Sequence, residues 1–577
     1  MKFIDAIVGK TFCGQQFTRL LFAAVVTTFI TNLNFIADKI FATQLFGKTA
    51  MAGIEIVLPL LYATAFLEFM IATGTAYLYS FEIGAFNAKR ANCLVGQGII
   101  WTLFLSALLA VSLYWAEDLY FSFYPHAETT TAFARLYYEP FLATIAIHPM
   151  YILMQMMVYA DGGGRYCVFA TVIQITVHMI VALFLTIGLD FGMTGIALSV
   201  FISEIGAMAV FARWMFSVSQ TLKPKFYCSF SDTLKVLKLS YVNASLSLYI
   251  AVGNMILVIY FLRDFGQDYF PVLSAVISIF QLAVCLSGVE KATEPLVNIY
   301  LGENNFDGVI KIMKPAAIVA ALFGGAVIPV MWLFCEPIAS IFGIADVAIV
   351  AEAKIVIRTV AFAMPFVALL YLFTMYYQIN GYFKIAISLS FCKDLLLYTG
   401  LPILFSSFIG VRGVWLGMVA VPFGTFLLFA IVLRIRYPET FPMLVFNKDI
   451  VSQDEVLNIC NVIKLRDWAE GEFQKRGFSS RYVMKVGLLV EEIGMSVVEK
   501  NLGTNILAEL TLFFDGEPKI ILRDNGIHFD MTQDNLSSFR DYFLYSLLTE
   551  ENIGKNFLET QNYNRHIFRP VLKNKGG

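Results

Sequence analysis

Long uninterrupted runs of apolar residues recur along the first three quarters of the chain. Two examples are FLATIAIHPMYILMQMMVYA (141–160) and PAAIVAALFGGAVIPVMWLF (315–334). About 20 apolar residues suffice for a helix to cross the roughly 30 Å core of a bilayer. The runs are apolar on all sides, whereas a membrane β-strand alternates, so they indicate helices. The pattern predicts twelve spans, at 17–43, 51–78, 93–116, 133–160, 166–188, 193–218, 239–262, 270–298, 313–338, 354–378, 384–407 and 411–434.

The pattern changes after RIRYPETFPML (434–444), where charged and periodic sequence begins. An amphipathic helix is predicted at 454–477 and a second at 480–501. Two β-type runs follow, at 506–516 and 518–526. We therefore predict an all-α, polytopic membrane protein of twelve helices with a small α+β domain at 445–577.

Composition supports the membrane assignment. Hydrophobic residues make up 58% of the chain and charged residues 15%, against about 25% charged in soluble proteins. A net charge of −2 gives no case for nucleic-acid binding. The eight cysteines are scattered without the spacing of a disulfide framework or zinc site. The N-terminal sequence is too polar for a cleavable signal peptide and leads directly into the first span.

The distribution of lysine and arginine predicts the orientation. Alternate loops carry Lys89 and Arg90, then Arg165, then Lys223 and Lys225, while the opposite loops are more acidic. Positively charged loops favour the cytoplasmic side. Both termini and the 445–577 domain are therefore expected in the cytoplasm.

The membrane part repeats itself. TAYLYSFEIG (75–84) corresponds to TEPLVNIYLG (293–302), and FGMTGIALS (191–199) to IGVRGVWLG (409–417), each at an offset of 218 residues. Hydrophobicity alone would not place glycines in register. We predict two six-helix bundles, 1–218 and 239–437, joined by a linker at 219–238. A parallel repeat of this kind is typical of transporters that bind substrate between two bundles.

The order of several motifs resembles the multidrug and toxic compound extrusion (MATE) family. They are a first span with an internal aspartate, GTAYLYSFEIGAFNAKRA, ADGGGRY, and SFCKDLLLYTGLPILFSSFIGVRGVWLG near the last spans. The resemblance covers residues 15–437. It implies an antiporter that expels organic, often cationic and aromatic, compounds in exchange for H⁺ or Na⁺. Flippases for lipid-linked sugars, in the same superfamily, are the alternative transporter.

Ionisable residues in the spans are candidate functional residues because they are costly in a bilayer. Asp38 lies mid-span with Asn34 one turn earlier on the same face, and a carboxylate beside an amide can hold a proton or Na⁺. The resemblance implies that Asp38 belongs to the cation site of the first bundle. It places His178 and Ala182 where the family has Asn and Asp, so that site is incomplete.

Other intramembrane charges are alternative cation sites. Glu290 and Glu294 are four residues apart and share a helical face. Lys393 and Asp394 are adjacent; the family usually has arginine at the position of Lys393. Glu68 and Glu204 are better explained by interhelical salt bridges or by a place at the mouth of a water-filled cavity.

The C-terminal domain resembles the GHKL ATPases, especially the small serine kinases that act as anti-sigma factors. The resemblance places Glu492 at the residue that activates water, Ser496 at the Mg²⁺-binding position, and Asp524 and Gly526 at the adenine contact. Serine replaces the family asparagine, and the segment 531–548 has no glycine for a phosphate lid. ATP and Mg²⁺ binding is therefore doubtful, and an ordinary Asp-Asn-Gly turn is the alternative.

The sequence thus predicts a MATE-like antiporter in the bacterial inner membrane, with a cytoplasmic tail that regulates without hydrolysing ATP. Its partners would be the bilayer, a small-molecule substrate, and a cytoplasmic protein or nucleotide bound by the tail. No cofactor is certain apart from the coupling ion. The alternative from another class is a membrane-tethered signalling protein with a working serine-kinase domain.

Overall fold

The computed structural model describes most of the chain. The described residues are 11–46, 48–122, 128–219, 221–227, 229–265, 283–341, 347–438, 449–515, 517–527 and 563–568, with isolated positions between 272 and 280. The side chain of Asn34 and the segment 531–548, which was predicted to lack a phosphate lid, fall outside this description.

Sixteen helices precede the tail in the described part of the chain. They are α1 Phe12–Phe46, α2 Lys48–Gly84, α3 Ala88–Trp115, α4 Glu117–Phe121, α5 Glu128–Ala160, α6 Gly164–Leu183, α7 Gly192–Arg213, α8 Phe230–Phe265, α9 Gly288–Gly302, α10 Phe306–Leu333, α11 Cys335–Ile341, α12 Val347–Ala361, α13 Met364–Ile379, α14 Phe383–Phe391, α15 Leu397–Ile409 and α16 Val411–Arg436. Helices α6, α7 and α14 each run on into a π-helical turn.

Seven of these helical segments are long and apolar enough to cross a membrane. An eighth is added if α12 and α13, which meet at a 42° bend, form one broken span. This count confirms a polytopic helical membrane protein, while the number twelve stays a prediction. Proline at the start of α13 supplies a reason for the break, since Pro365 has no N–H to continue a helical ladder.

The sequence repeat is matched by a repeat in the backbone. Asn87 caps α3 by accepting from the Arg90 N–H, and Asn305 caps α10 by accepting from the Gly308 N–H. The preceding residues, Phe86 and Asn304, both have a left-handed conformation, with φ of 62° and 61°. Each pair is separated by the same 218 residues as the sequence motifs.

The two halves meet at their equivalent glycines. A Cβ on Gly84, the last residue of α2, would overlap the carbonyl oxygen of Ile299 on α9. A Cβ on Gly302, the last residue of α9, would lie 2.9 Å from the Cα of Gly84 and overlap the Phe81 carbonyl oxygen. Only glycine allows this contact, so α2 and α9 are held together at one end of the bundle.

The tail contains a four-stranded antiparallel sheet and two helices. The strands are β1 Ile450–Leu457, β2 Ile506–Phe513, β3 Lys519–Asp524 and β4 Asn564–Phe568, in the order β1-β2-β3-β4. The helices α17 Ile459–Lys475 and α18 Ser480–Lys500 connect β1 to β2. The predicted second helix and the β2–β3 hairpin agree with the structure.

The prediction of a helix over 454–477 was wrong at its start. Residues 450–457 form β1, paired with β2 from Ile450↔Phe513 to Leu457↔Ile506. The helix begins at Ile459 because the Asn458 side chain accepts from the Asn461 N–H at 2.8 Å, which is an N-cap. The apolar pattern of DEVLNIC suits a helix or a strand, and pairing with β2 decides for the strand.

Both faces of the sheet are buried along β2, β3 and β4, whereas the edge strand β1 is mostly half-buried. Alternate residues such as Ala508, Leu510 and Leu522 pack with α17 and α18 in one apolar core. The other face, with Arg523 and Arg565, is turned toward the ends of α1, α2, α9 and α10. We call this end of the bundle the tail side.

Candidate functional site

Asp38 lies in a buried polar cluster formed by four helices of the first half. Its Oδ1 is 2.7 Å from Nε2 of His178 on α6, and its Oδ2 accepts from the Tyr137 hydroxyl on α5 at 3.2 Å. His178 Nδ1 is 3.0 Å from the Ser199 hydroxyl on α7. His178 is fully buried and Asp38 nearly so. The structure thus brings together two of the predicted cation-site residues.

The hydrogen-bond partners require a proton in this pair. The Ser199 hydroxyl donates to the Ile196 carbonyl oxygen at 2.6 Å, so its oxygen accepts a hydrogen bond from a protonated His178 Nδ1. With Nδ1 protonated, Nε2 faces Asp38 Oδ1, and two lone pairs at 2.7 Å would repel each other. A proton therefore resides on Asp38 or on Nε2. The two atoms are close without the alignment of a linear hydrogen bond, so the contact is mainly electrostatic.

A second buried cluster joins α2, α5 and α7. His148 Nδ1 lies 2.6 Å from Glu204 Oε1, and His148 Nε2 lies 3.7 Å from Glu68 Oε2. Both carboxylates are at least 95% buried. The interhelical ion pair expected for Glu68 and Glu204 therefore agrees with the geometry, with His148 as the unforeseen partner.

The second half contains a separate group of charges. Lys393 Nζ lies 2.6 Å from Asp394 Oδ2 and 5.0 Å from the centre of the Tyr371 ring. Glu290 and Glu294 are half-buried on the same face of α9, one turn apart. Among the described contacts, the partners of Asp38 all lie in the first half, and none of them is one of these carboxylates.

Sequence reasoning missed three residues of the first-half clusters: Tyr137, His148 and Ser199. A signal for the histidine was present, because the chain has only five histidines and two of them, His148 and His178, fall inside predicted spans. Tyr137 and Ser199 gave no comparable signal, because tyrosine and serine are common residues in these spans. No group of three histidine, cysteine, aspartate or glutamate side chains suited to a metal occurs among the described residues.

Asp524, which was predicted to contact adenine, is surrounded by hydrogen-bonding groups of the protein itself. The Asp524 carboxylate is fully buried and accepts from the Gly526 N–H at 2.9 Å and from Asn564 Nδ2 at 2.8 Å. It also lies 3.0 Å from His566 Nε2. A Cβ on Gly526 would lie 2.6 Å from Asn501 Nδ2, so the close approach that glycine permits is used by an asparagine side chain.

The other two predicted nucleotide-site residues lie together on α18. The Ser496 hydroxyl donates to the Glu492 carbonyl oxygen at 2.9 Å, and both side chains are half-buried. A serine hydroxyl turned back on its own helix is not presented as a ligand. The geometry therefore favours a structural role for Ser496.

Family comparison gives a match in both halves. The MatE family model matches residues 23–184 and 244–402. The chain is also 22% identical over 314 residues to the "Probable multidrug resistance protein YoeA" of Bacillus subtilis (strain 168). That alignment covers 51% of this chain and 66% of the relative, slightly less than two thirds of the relative's length.

Solved structures show the same fold. One is a MOP superfamily transporter from Pyrococcus furiosus Vc1 (DSM3638), for which reverse polarity of the binding pocket suggests a different function. Another is a multidrug resistance MATE family transporter of the MOP superfamily in an outward-facing conformation. Each has a TM-score of 0.69, is 18% identical, and covers 76% of this chain and 99% of its own. At this identity the likeness shows the fold alone.

Proposed function

Because the chain belongs to the MatE family, we propose that it is a secondary multidrug-type exporter that exchanges organic cations for protons. The observation that carries the proposal is the buried Asp38–His178 pair, whose geometry requires a bound proton. Its place between several helices of one half suits a coupling site that rearranges as those helices move. The substrate class rests on the family and on the charge of the first-half clusters.

The charge of these clusters explains why a cation would bind there. Three carboxylates, Asp38, Glu68 and Glu204, face two imidazoles, His148 and His178. With every group ionised, the sum is three negative and two positive charges, or one negative charge in a buried place. An unpaired charge inside a membrane protein is costly, so the clusters favour one further cation. A proton and a cationic substrate can satisfy this requirement in turn.

Exchange then follows from competition for one negative charge. In this charge state the Asp38–His178 pair already holds one proton, on His178; uptake of a second proton, by Asp38, would neutralise the clusters and release a bound organic cation on one side of the membrane. Loss of that proton on the other side would restore the charge and allow the next cation to bind. Tyr137 and Ser199 keep their hydrogen bonds in both states because a hydroxyl can donate or accept.

Protons are favoured over Na⁺ by the partners of Asp38. A sodium ion needs several oxygen ligands, whereas, among the described side chains, Asp38 Oδ1 contacts the His178 nitrogen at 2.7 Å. An imidazole exchanges protons readily near neutral pH. Sodium coupling through Asp38 would require His178 to move away.

The tail is proposed to regulate this exporter from the cytoplasm without hydrolysing ATP. Its predicted adenine position is occupied by Asn501, Asn564 and His566, which supports a regulatory domain over a kinase. The positive loops of the sequence support a cytoplasmic tail in a bacterial inner membrane.

Proteoliposomes test the exporter directly. With the purified protein, efflux of a cationic dye should follow an imposed pH gradient and ignore a Na⁺ gradient of equal size. Asp38→Asn should reduce the pH-driven efflux to the level of empty liposomes, because the amide cannot exchange the proton. Asp190→Asn is the matched control, since Asp190 is exposed and its left-handed backbone suits asparagine. Normal pH-driven efflux by Asp38→Asn would refute the assignment.

A further inference from the structure

The tail sheet is joined to both halves of the bundle by one arginine. Arg565 on β4 donates to Glu303 Oε1 at 2.9 Å and to the carbonyl oxygen of Ile83 at 2.8 Å. Ile83 is in the last turn of α2, in the first half, and Glu303 directly follows α9, in the second half. The guanidinium also lies 4.0 Å from the centre of the Phe86 ring. One planar side chain thus bridges two helix ends.

Glu303 is held by a second arginine from the neighbouring strand. Arg523 on β3 forms an ion pair with Glu303 Oε2 and a hydrogen bond of 2.8 Å with Glu509 Oε2. It stacks 4.7 Å above the centre of the Tyr300 ring, and Tyr300 in turn donates to Glu509 at 2.9 Å. Arg523, Arg565 and Glu303 are all at most 1% exposed. A charged group of this kind, closed off from water, is stable only while every member keeps its partners.

The bridge lies at a close contact between the two halves. The glycines at the ends of α2 and α9, Gly84 and Gly302, touch next to it. The carbonyl groups at a helix C-terminus carry partial negative charge, so a guanidinium is a suitable cap for them. The Ile83 carbonyl oxygen accepts from Arg565 and, at 3.2 Å, from the Phe86 N–H. Any separation of α2 from α9 would pull the Ile83 carbonyl and Glu303 apart, and Arg565 could keep only one of them.

Further contacts connect the same sheet face to α1 and α10. Asp454 on β1 accepts from the Phe12 N–H at the start of α1 at 2.9 Å. Lys311 on α10 bonds to Ser452 on β1 and lies 3.9 Å from Asp454. Asn525 donates to Gln15 on α1 at 3.1 Å. The tail therefore contacts helix ends of both halves, and the sheet spans the seam between them.

We infer that the tail is a lock on the tail-side gate, in which Arg565 and Arg523 hold the ends of α2 and α9 together through Glu303. The docked tail fits only the state in which this side is closed. A transporter built from two repeats opens one side at a time by moving its halves, so each cycle would require the tail to release one helix end. The inference rests on the proposed function for its consequence in transport, but the lock itself is a property of the contacts.

Hydrogen exchange measured on the full-length protein in lipid tests the lock without a transport assay. In Arg565→Ala, amides at the ends of α2 and α9 and the start of α10 should exchange about ten-fold faster or more, since a hydrogen bond to a charged group is worth roughly this factor. Arg565→Lys should loosen the helix ends to a smaller extent, because an ammonium lacks the planar fork that reaches Glu303 and Ile83 together. Arg466→Ala, at a half-exposed ion pair with Glu491 on the far side of the tail, should change nothing there.

The same data show whether the tail stays folded. Amides of α17 and α18, whose apolar core is independent of Arg565, should keep their protection in all variants. If these amides lose their protection in Arg565→Ala, Glu303→Gln is the second variant, because it removes the charge on the bundle side and leaves the tail sequence intact. Faster exchange at the ends of α2 and α9 is expected in this variant as well. Unchanged exchange at the helix ends in both Arg565→Ala and Glu303→Gln would overturn the lock.

Transport by the same variants separates this inference from the proposed function. If opening of the tail side limits turnover, releasing the lock should raise pH-driven dye efflux, by up to about the factor gained in opening. Faster exchange at the helix ends in a protein that moves no dye would leave the lock standing and refute the exporter. Normal dye efflux together with unaltered exchange at the helix ends would support the exporter and refute the lock.

Discussion

Protonation of Asp454 should strengthen the docking of the tail. Its carboxylate is largely buried between the sheet and the bundle, 14% exposed at the side chain, and it faces Glu509 on β2. Burial, followed by the charge of Glu509, raises the pKa of Asp454 from 3.8 to about 6. The bond from the Phe12 N–H and the charges of Lys311 and Arg523 oppose the rise without cancelling it.

The sign of the pH effect follows from proton linkage. The docked state binds the proton more tightly than the undocked state, because undocking returns the carboxyl to water and removes the burial that raises its pKa, whereas Glu509 stays opposite Asp454 on the same sheet. Docking is therefore strongest below about pH 4, weakens as the pH rises toward 6, and is constant above it. If the whole rise in the pKa of Asp454 came from docking, it would correspond to roughly 3 kcal/mol over this window, and the share due to Glu509, which does not change on docking, makes this an upper bound. Lowering the pH from 7.5 to 5 should recover up to about 1.4 kcal/mol, which is a factor of ten.

The perturbation that tests this is Asp454→Asn. Asparagine keeps an oxygen for the Phe12 N–H and removes the buried negative charge, so docking should become independent of pH and tighter than in the unchanged protein at pH 7.5. Protection of the Phe12–Gln16 amides, divided by intrinsic exchange rates, measures docking at both pH values. Asp467→Asn, at a 59% exposed carboxylate on α17, is the control. An unchanged ten-fold pH response in Asp454→Asn would show that another group titrates.

Three other predictions concern the rest of the molecule. His148→Leu should destabilise the protein by roughly 3–5 kcal/mol, because it leaves buried Glu204 without its imidazole partner. Glu68→Gln, which changes only a 3.7 Å contact, should cost much less. Thermal unfolding of both variants measures the two losses of stability, and equal losses would contradict the prediction. A membrane-impermeant thiol label applied to intact cells should miss a cysteine introduced at Lys225 and reach one at Glu128, and the opposite pattern would place the tail outside. The full-length protein should show no Mg²⁺-dependent ATP hydrolysis that disappears in Glu492→Ala, and measured turnover of that kind would favour a kinase.

Much of the membrane fold was accessible from the sequence because its determinants are local. A run of apolar residues must be helical in lipid, and glycines in register at 84 and 302 indicated the repeat. That these two glycines meet at a contact that tolerates no Cβ comes from the structure alone. The helix start predicted at 454 was wrong because DEVLNIC fits both a helix and a strand, and only pairing with β2 distinguishes them. The bend between α12 and α13 is signalled by Pro365, which the prediction of one span at 354–378 passed over.

The candidate site was predictable in part. A lone carboxylate in a span, Asp38, identifies itself by its desolvation cost, and the family resemblance directed attention to His178. The pairing of Glu68 and Glu204 through His148 depends on how α2, α5 and α7 pack, which no local pattern encodes. Tyr137 and Ser199 are common residues in these helices, and only their positions next to Asp38 and His178 distinguish them.

The tail shows why charged residues in a strand do not always indicate a face exposed to solvent. On β3, Arg523 and Ile521 share one face while Leu522 points into the core with α17 and α18, and on β4 Arg565 shares the first face with Ile567. In this protein that side is covered by the bundle, and the buried charges balance across the junction. Four acidic side chains face four basic ones, namely Glu303, Asp307, Asp454, Glu509, Lys311, Lys519, Arg523 and Arg565. Of these side chains, the three from the bundle, Glu303, Asp307 and Lys311, carry one net negative charge, and the five from the tail carry one net positive charge. Charge attraction therefore favours docking of the tail, and the fit of Arg565 to two helix ends is what ties that docking to closure of the gate.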